Sequence, residues 1–158
     1  MNKPVLAALL VFCSTAAVAE PFNPVEFFRG RTHGDGNLKV IFQSPKKMGV
    51  DSFGEQEKDG SLLLKQIIHE PEKPARTRYW RMKQEGPSHF VGTLTDAAGP
   101  VRVDVSGDQV RIRYTAPNHL NFDQVLTPAG PGIVRNTMKV RRFGIVVAHF
   151  DEVIRKLD

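Results

Sequence analysis

The sequence predicts an all-β fold, an antiparallel up-and-down barrel of roughly eight to ten strands. Two observations carry that prediction. After residue 29 the chain breaks into short β-rich runs, parted by Gly, Pro, Asn and Asp at intervals of roughly 8 to 12 residues, the spacing of antiparallel sandwiches and barrels. No long helical pattern interrupts these runs, so parallel crossover connections have no helices to use. Closing such a meander on itself removes the exposed hydrogen-bonding edges of an open sheet. A barrel of this size is either filled by side chains or holds one small ligand.

The first element is one the mature chain is expected to lose. Lys3 supplies a positive charge, Val5 to Phe12 are apolar, and Ala17-Val18-Ala19 presents the small residues that a signal peptidase requires. Residues 1–19 therefore read as a secretory signal cleaved after Ala19, with a periplasmic or secreted destination. The apolar run is shorter than the ~20 residues needed to span hydrocarbon as a helix. Phe12 precedes Cys13 where a lipobox places a small residue, which argues against a lipid anchor. Residues 20–158 are left as one domain with 21 basic and 17 acidic side chains, a net +4. The only cysteine leaves with the signal, so disulfides and thiolate sites are excluded and apolar burial must carry stability.

Asn23-Pro24-Val25-Glu26 joins an N-cap residue, proline at the first helical position and glutamate three residues after the cap, a short helical turn. Phe27 and Phe28 give that turn something to bury, as a plug or as an ordinary connector. The strands expected next are residues 29–33, 38–43, 50–57, 61–70, 76–84, 89–95, 101–106, 109–115, 122–127, 133–140 and 144–149. The plainest pair is 101–105 with 110–114. Val101, Val103 and Val105 share one face, as do Val110, Ile112 and Tyr114, while Gly107 allows a tight turn between them. Asp59-Gly60 and Glu85-Gly86 mark further turns, and His33-Gly34-Asp35-Gly36 reads as turn chemistry. The C-terminal stretch stays open between a helix, from the spacing of Phe150, Val153, Ile154 and Leu157, and a strand with Val153 and Leu157 on one face. The short, highly charged strands disfavour an outer-membrane barrel.

Several segments together resemble an uncharacterised family of bacterial lipocalin-like proteins of unknown function, many with secretion or lipoprotein signals. They are Glu26-Phe27-Phe28-Arg29-Gly30-Arg31, Arg78-Tyr79-Trp80-Arg81-Met82, and Gly92-Thr93-Leu94-Thr95-Asp96 followed by Gly99. Gly107, Tyr114, and Asn136-Thr137-Met138 before Phe143-Gly144 complete the set. The resemblance implies a small calycin-type barrel with an envelope lipid connection, and it supplies no reaction. Gly30 is followed by Arg31 and Thr32 rather than by the Gly-x-Trp pattern of transport lipocalins, and the only tryptophan is Trp80.

With Trp80 pointing inward, period-two geometry also places Arg78 and Met82 inward, setting a cation between two large soft surfaces. A guanidinium in a sparsely hydrated cavity needs a counter-charge. A ligand carboxylate or phosphate supplies one with directed hydrogen bonds, and a protein carboxylate does the same. Along Val134, Asn136, Met138 and Val140 the face is apolar except for Asn136, whose amide orients a ligand or bonds a neighbouring strand. With Tyr114, these five residues form the candidate ligand site: Arg78, Trp80, Met82, Asn136 and Met138.

His33, His69, His89, His119 and His149 lie far apart and form no paired zinc motif, so no metal is expected. A phosphate loop and a Gly-x-Ser-x-Gly elbow are both missing, and no cofactor is implied. Arg76, Arg78, Arg81 and Lys83 with Tyr79 and Trp80 resemble a nucleic-acid surface in composition, but alternation divides them between two faces and export removes the partner. A basic exterior also attracts anionic membranes or polysaccharide. The leading expectation is a periplasmic binding or carrier protein for a small apolar or amphipathic molecule. An envelope interaction module with a filled barrel comes second, and a lipid-modifying enzyme third.

Overall fold

The computed structural model describes residues 22–158. The expected signal, its cleavage point and Cys13 lie outside the described residues. One short helix, α1 (Pro24–Phe28), leads into ten strands. These are β1 (Gly30–Val40), β2 (Lys46–Gln56), β3 (Leu62–His69), β4 (Arg76–Gly86), β5 (His89–Leu94), β6 (Val101–Ser106), β7 (Gln109–Ala116), β8 (Leu120–Gly130), β9 (Ile133–Arg142) and β10 (Ile145–Lys156). Every strand pairs antiparallel with its sequence neighbours, and β10 pairs with β1 to close the barrel. The architecture is the closed antiparallel up-and-down barrel that the punctuation of the sequence predicts, and it agrees with the lipocalin-like fold that the resemblance implies.

Alternation decides which side chains fill the interior. In β7 the inward set is Val110, Ile112, Tyr114 and Ala116, all buried, while Arg111 and Arg113 face water. Val103 lies opposite Ile112, and Val105 opposite Val110, across a turn in which Gly107 adopts φ 60°. Outward positions carry charge; Arg111 holds Asp123 through two hydrogen bonds of 2.8 and 2.6 Å.

Two expectations are corrected. Residues 29–33 and 38–43 are not separate strands, and His33-Gly34-Asp35-Gly36 is not a turn: residues 30–40 run as the one strand β1, and residues 41–43 turn away from its end. The glycines serve packing instead. A Cβ on Gly34 would sit 1.9 Å from Glu152 Oε1, and one on Gly36 would sit 2.5 Å from the Phe150 ring. Bare backbone on β1 thus leaves room for two side chains of its neighbour β10. The C-terminal segment is strand throughout, and its inward residues are Phe150, Glu152 and Ile154 rather than Val153 and Leu157. A helix there would leave the facing edges of β1 and β9 without hydrogen-bond partners, a cost that closure avoids.

α1 closes one end of the barrel. Asn23 Oδ1 accepts from the Val25 backbone N–H at 2.9 Å, the cap that starts the helix. Phe27 and Phe28 meet edge to face at 5.0 Å and join a core with Leu62, Met82, Val103, Val110, Leu126 and Val134. A Cβ on Gly54 of β2 would lie 1.9 Å from the Phe28 carbonyl oxygen, so glycine there admits the plug. Lys156 at the end of β10 donates its ammonium to the carbonyls of Phe27 and Arg29. The antiparallel order places the connections 41–45, 70–75, 95–100, 117–119 and 143–144 together at the opposite end.

Candidate functional site

The end opposite α1 is open. A bowl of about 380 Å³ is lined mainly by aliphatic and aromatic side chains, among them Leu38, Val40, Ile68, Leu120, Val140 and Phe150, with Arg76 and Arg78 as its cations. Beneath it lies a smaller cell of about 50 Å³ in which Gln66, Arg78, Trp80, Gln124, Asn136 and Glu152 gather. Arg78, Val50, Met138 and Phe150 line both spaces, which makes the polar cell the floor of the apolar bowl.

Strand register explains why the floor is polar. Gln66 lies opposite Arg78 across β3 and β4, and Asn136 opposite Glu152 across β9 and β10. All four project inward because they share the parity of the core residues beside them. Gln66 organises one half. Its Oε1 accepts from Arg78 Nε at 2.8 Å and from Trp80 Nε1 at 2.6 Å, while its Nε2 donates to Ser52 Oγ at 3.1 Å. The guanidinium carbon of Arg78 also stands 5.3 Å from the Trp80 ring centroid, a cation–π contact.

The charge on Arg78 is poorly compensated. Its nearest carboxylate oxygen, on Asp96, is 3.9 Å from Nη1, and that carboxylate is held at 2.7 Å by Arg76. Burial accordingly pulls the Arg78 pKa below its ordinary value, although a guanidinium stays charged at any physiological pH. In the other half of the floor, Asn136 Nδ2 donates to Glu152 Oε2 at 2.8 Å. Burial pushes the Glu152 carboxyl up from its ordinary range, against the Asn136 hydrogen bond and the Arg78 charge, which pull it down. Asn136 Oδ1 is buried and accepts no hydrogen bond. The floor therefore presents a guanidinium with spare donors and an amide oxygen with spare acceptor capacity.

Of the residues singled out from sequence, Arg78, Trp80, Met82, Asn136 and Met138 all line the floor. Tyr114 lines neither space. Its ring packs edge to face on Trp80 at 5.7 Å and stacks on Phe122 at 4.6 Å, so it buttresses the wall that holds Trp80. Neither the simple protein ion pair nor an unsupported cation describes Arg78, since its shortest contact is the neutral Gln66 amide. Sequence reasoning missed Gln66, Gln124 and Glu152. For Glu152 the signal was its place between Phe150 and Ile154 on one strand face, which becomes visible once the segment is read as a strand in that register.

Elsewhere, a groove of about 500 Å³ runs outside β6, β7 and β8, but it is shallow and its Arg113 and Arg141 are already paired with Asp104 and Asp123. Two of the dispersed histidines do converge: Asp51 accepts from His33 Nδ1 at 2.7 Å and meets His69 Nε2 at 2.9 Å on the outer face. Among the described residues no group of three or more His, Asp or Glu side chains has metal-binding geometry.

With the barrel and its floor defined, comparison with known proteins places the chain. A family model described as a protein of unknown function, DUF3833, matches residues 11–156. The chain belongs to the DUF3833 family. Curated proteins give no match. Among solved structures, the DUF3833 barrel is similar to an S-type phycobiliprotein lyase of Guillardia theta, with a TM-score of 0.70 at 6% identity over 85% of this chain and 90% of that one. It is also similar to a DUF3598-family protein of unknown function from Nostoc punctiforme PCC 73102, with a TM-score of 0.69 at 13% identity. That alignment covers 92% of this chain and 53% of the other, so this barrel spans about half of that protein. At such identities the likeness is one of fold.

Proposed function

We propose that this DUF3833 protein binds a small amphipathic carboxylate head-down in the barrel, acting as a binding or carrier protein in the periplasm. The observation that carries the reading is the under-compensated Arg78 guanidinium at the base of an open apolar bowl. A bowl of about 380 Å³ falls within the ~300–1,000 Å³ range of small-molecule sites, where apolar walls supply affinity and a few polar groups fix orientation. The floor cell of about 50 Å³ is several-fold smaller than the bowl above it, so it admits only the head of a ligand whose chain stays in the bowl. That size suits a carboxylate better than a phosphodiester headgroup. Bound there, a carboxylate receives charge-assisted hydrogen bonds from Arg78, while a hydroxyl or amide on the same head donates to Asn136 Oδ1. The periplasmic assignment rests on the expected signal at residues 1–19. The phycobiliprotein lyase lends the fold alone, and no lyase step is assigned.

Trp80 is the only tryptophan and lines the floor, so its fluorescence reports on the site directly. Titration with decanoate should perturb Trp80 emission and saturate, while decanol and decylamine bind more weakly. Arg78→Met should weaken decanoate by about 10- to 100-fold, the worth of hydrogen bonds to a charged group, and leave decanol unaffected. Equal binding of all three compounds, or none by any, overturns the assignment.

A further inference from the structure

We propose that the open rim of the barrel docks on an anionic lipid bilayer, with Phe42 and Phe143 as its two inserted side chains. These residues sit at the tips of the β1–β2 and β9–β10 connections. The tips are neighbours, because the Ile41 N–H donates to the Val147 carbonyl at 3.0 Å and extends the pairing of β1 with β10. Phe42 is fully exposed, and Phe143 and Ile145 are about 70% and 67% exposed, with Ile41 beside them at 43%. Half of the large exposed hydrophobic residues among the described residues thus stand on two adjacent loop tips.

Backbone geometry shows that folding did not select these aromatics. Phe42 has φ 62° and Phe143 has φ 50°, the left-handed region that suits glycine or asparagine and strains a bulky side chain. Phe143-Gly144 forms a two-residue hairpin turn with positive φ at both positions, where Asn-Gly is the favoured pair. The Phe143 ring touches His119 of the neighbouring connection, with ring centroids 5.3 Å apart, yet each aromatic is turned to solvent and joins no core, so the strain has little structural return. Strain of this kind marks a site of function.

Charge names the partner. At the open end, residues 39–47, 70–76, 95–100, 117–120 and 141–145 hold seven Lys and Arg against three Asp and Glu. At the closed end, residues 22–31, 55–61, 84–89, 106–109, 130–133 and 155–158 hold five against seven. Such a separation turns the open end toward a negative surface. Two of the three acids at the rim are themselves engaged, and Glu72 is exposed without an ion-pair partner among the described residues. Glu70 is held by Lys46 and Lys73, and Asp96 by Arg76. Among the described residues, Lys39, Lys47 and Arg142 have no carboxylate within 4 Å, and the Arg142 guanidinium lies 5.3 Å from the Phe143 ring. Lys39 donates only to the Gln43 carbonyl, at 2.8 Å. Aromatic tips flanked by cations that hold no carboxylate match the interface of an anionic bilayer, where amphipathic elements bury their apolar face a few ångströms deep. Docking depends on the rim and not on what fills the bowl, so it stands or falls separately from the ligand assignment.

The test compares the full chain on phosphatidylcholine vesicles with vesicles in which part of the phosphatidylcholine is replaced by phosphatidylglycerol. Sedimented protein should rise with phosphatidylglycerol and fall with salt. Phe42→Asn with Phe143→Asn should lower the partition by about tenfold or more, from the loss of two buried aromatics, while remaining folded because asparagine suits both backbone positions. Phe42→Trp supplies a reporter at the tip, and brominated lipid should quench it. Equal sedimentation of the double variant, no dependence on phosphatidylglycerol, or an unquenched tip on a chain that still sediments through another segment such as residues 1–19 each overturns the proposal.

Discussion

The two ends of this barrel are built from the same ten strands and yet solve opposite problems. At the closed end α1 lays Phe27 and Phe28 under the strands, a glycine at position 54 yields its Cβ space to the Phe28 carbonyl, and Leu62, Val103, Val110 and Leu126 are almost wholly inaccessible. The open end keeps its aliphatic walls apart around about 380 Å³, sets an under-compensated arginine below them, and leaves two phenylalanines in water on strained turns. Dense packing contributes stability, and an unfilled wall forgoes it. The difference assigns folding to one end and recognition to the other.

Stability should follow that division, and the largest effect belongs to the plug. Phe28→Ala should cost about 3–5 kcal/mol in urea unfolding, as for other fully buried phenylalanines. Met138→Ala, on the wall of the bowl, should cost about 1 kcal/mol, because the space it vacates joins an existing cavity. Equal costs at the two positions would erase the distinction between the ends.

A second experiment probes the seam between β1 and β10. Gly34→Ala forces the Glu152 carboxyl aside and should cost about 1–3 kcal/mol, the usual range for overpacking. Combining it with Glu152→Ala should recover most of that loss, a coupling visible in a double-mutant cycle. Additive losses would mean that the glycine serves the backbone and not its neighbour's side chain.

A smaller effect separates the ends by pH. The folded Glu152 carboxyl is raised above its unfolded value, so the fold favours the protonated form. Its contribution is fully present below the ordinary carboxyl range and is lost as pH rises through the raised value. Glu152→Gln should therefore match the wild type in acid and melt at a higher temperature than the wild type at neutral and alkaline pH. A uniform offset across pH would remove burial as the cause.

The smallest effect lies on the outer surface. Asp51 holds the His33 pKa up, and His33 in turn holds the Asp51 pKa down. The Asp51 contribution appears above its unfolded value and the His33 contribution disappears above its raised one, so the pair stabilises chiefly between about pH 4 and 6.5. Both side chains are more than a third exposed, which limits the gain to under about 1 kcal/mol. His33→Gln should narrow the difference between melting at pH 5.5 and at pH 8, and no change there would assign the contact to geometry alone.

How much of this was legible before the coordinates depended on the range of the interaction. The hairpin at 101–114 was readable because its alternation and Gly107 are local, and the α1 turn because Asn23, Pro24 and Glu26 act on their own backbone. The same local logic read Gly34 and Gly36 as a turn and failed, since what they make room for, Glu152 and Phe150, lies more than a hundred residues away in sequence. Arg78, Trp80 and Met82 were placed inward by period two alone, and Asn136 by its parity with Val134 and Met138. Gln66 and Glu152 escaped because only barrel closure and register set them beside those residues.

By itself, then, the sequence determined the strand content, the inward and outward faces of most strands, the capped helical turn and five of the residues that line the floor. Alternation and capping act within a few residues, and a chain carries them openly. Only the tertiary structure decided that one end is plugged and the other open, that Arg78 meets an amide instead of a carboxylate, and that two strained phenylalanines stand side by side. The Arg78 contact follows from the register of β3 on β4, and the other outcomes depend on the closing of β10 against β1, a contact between the two ends of the described chain that no local pattern encodes.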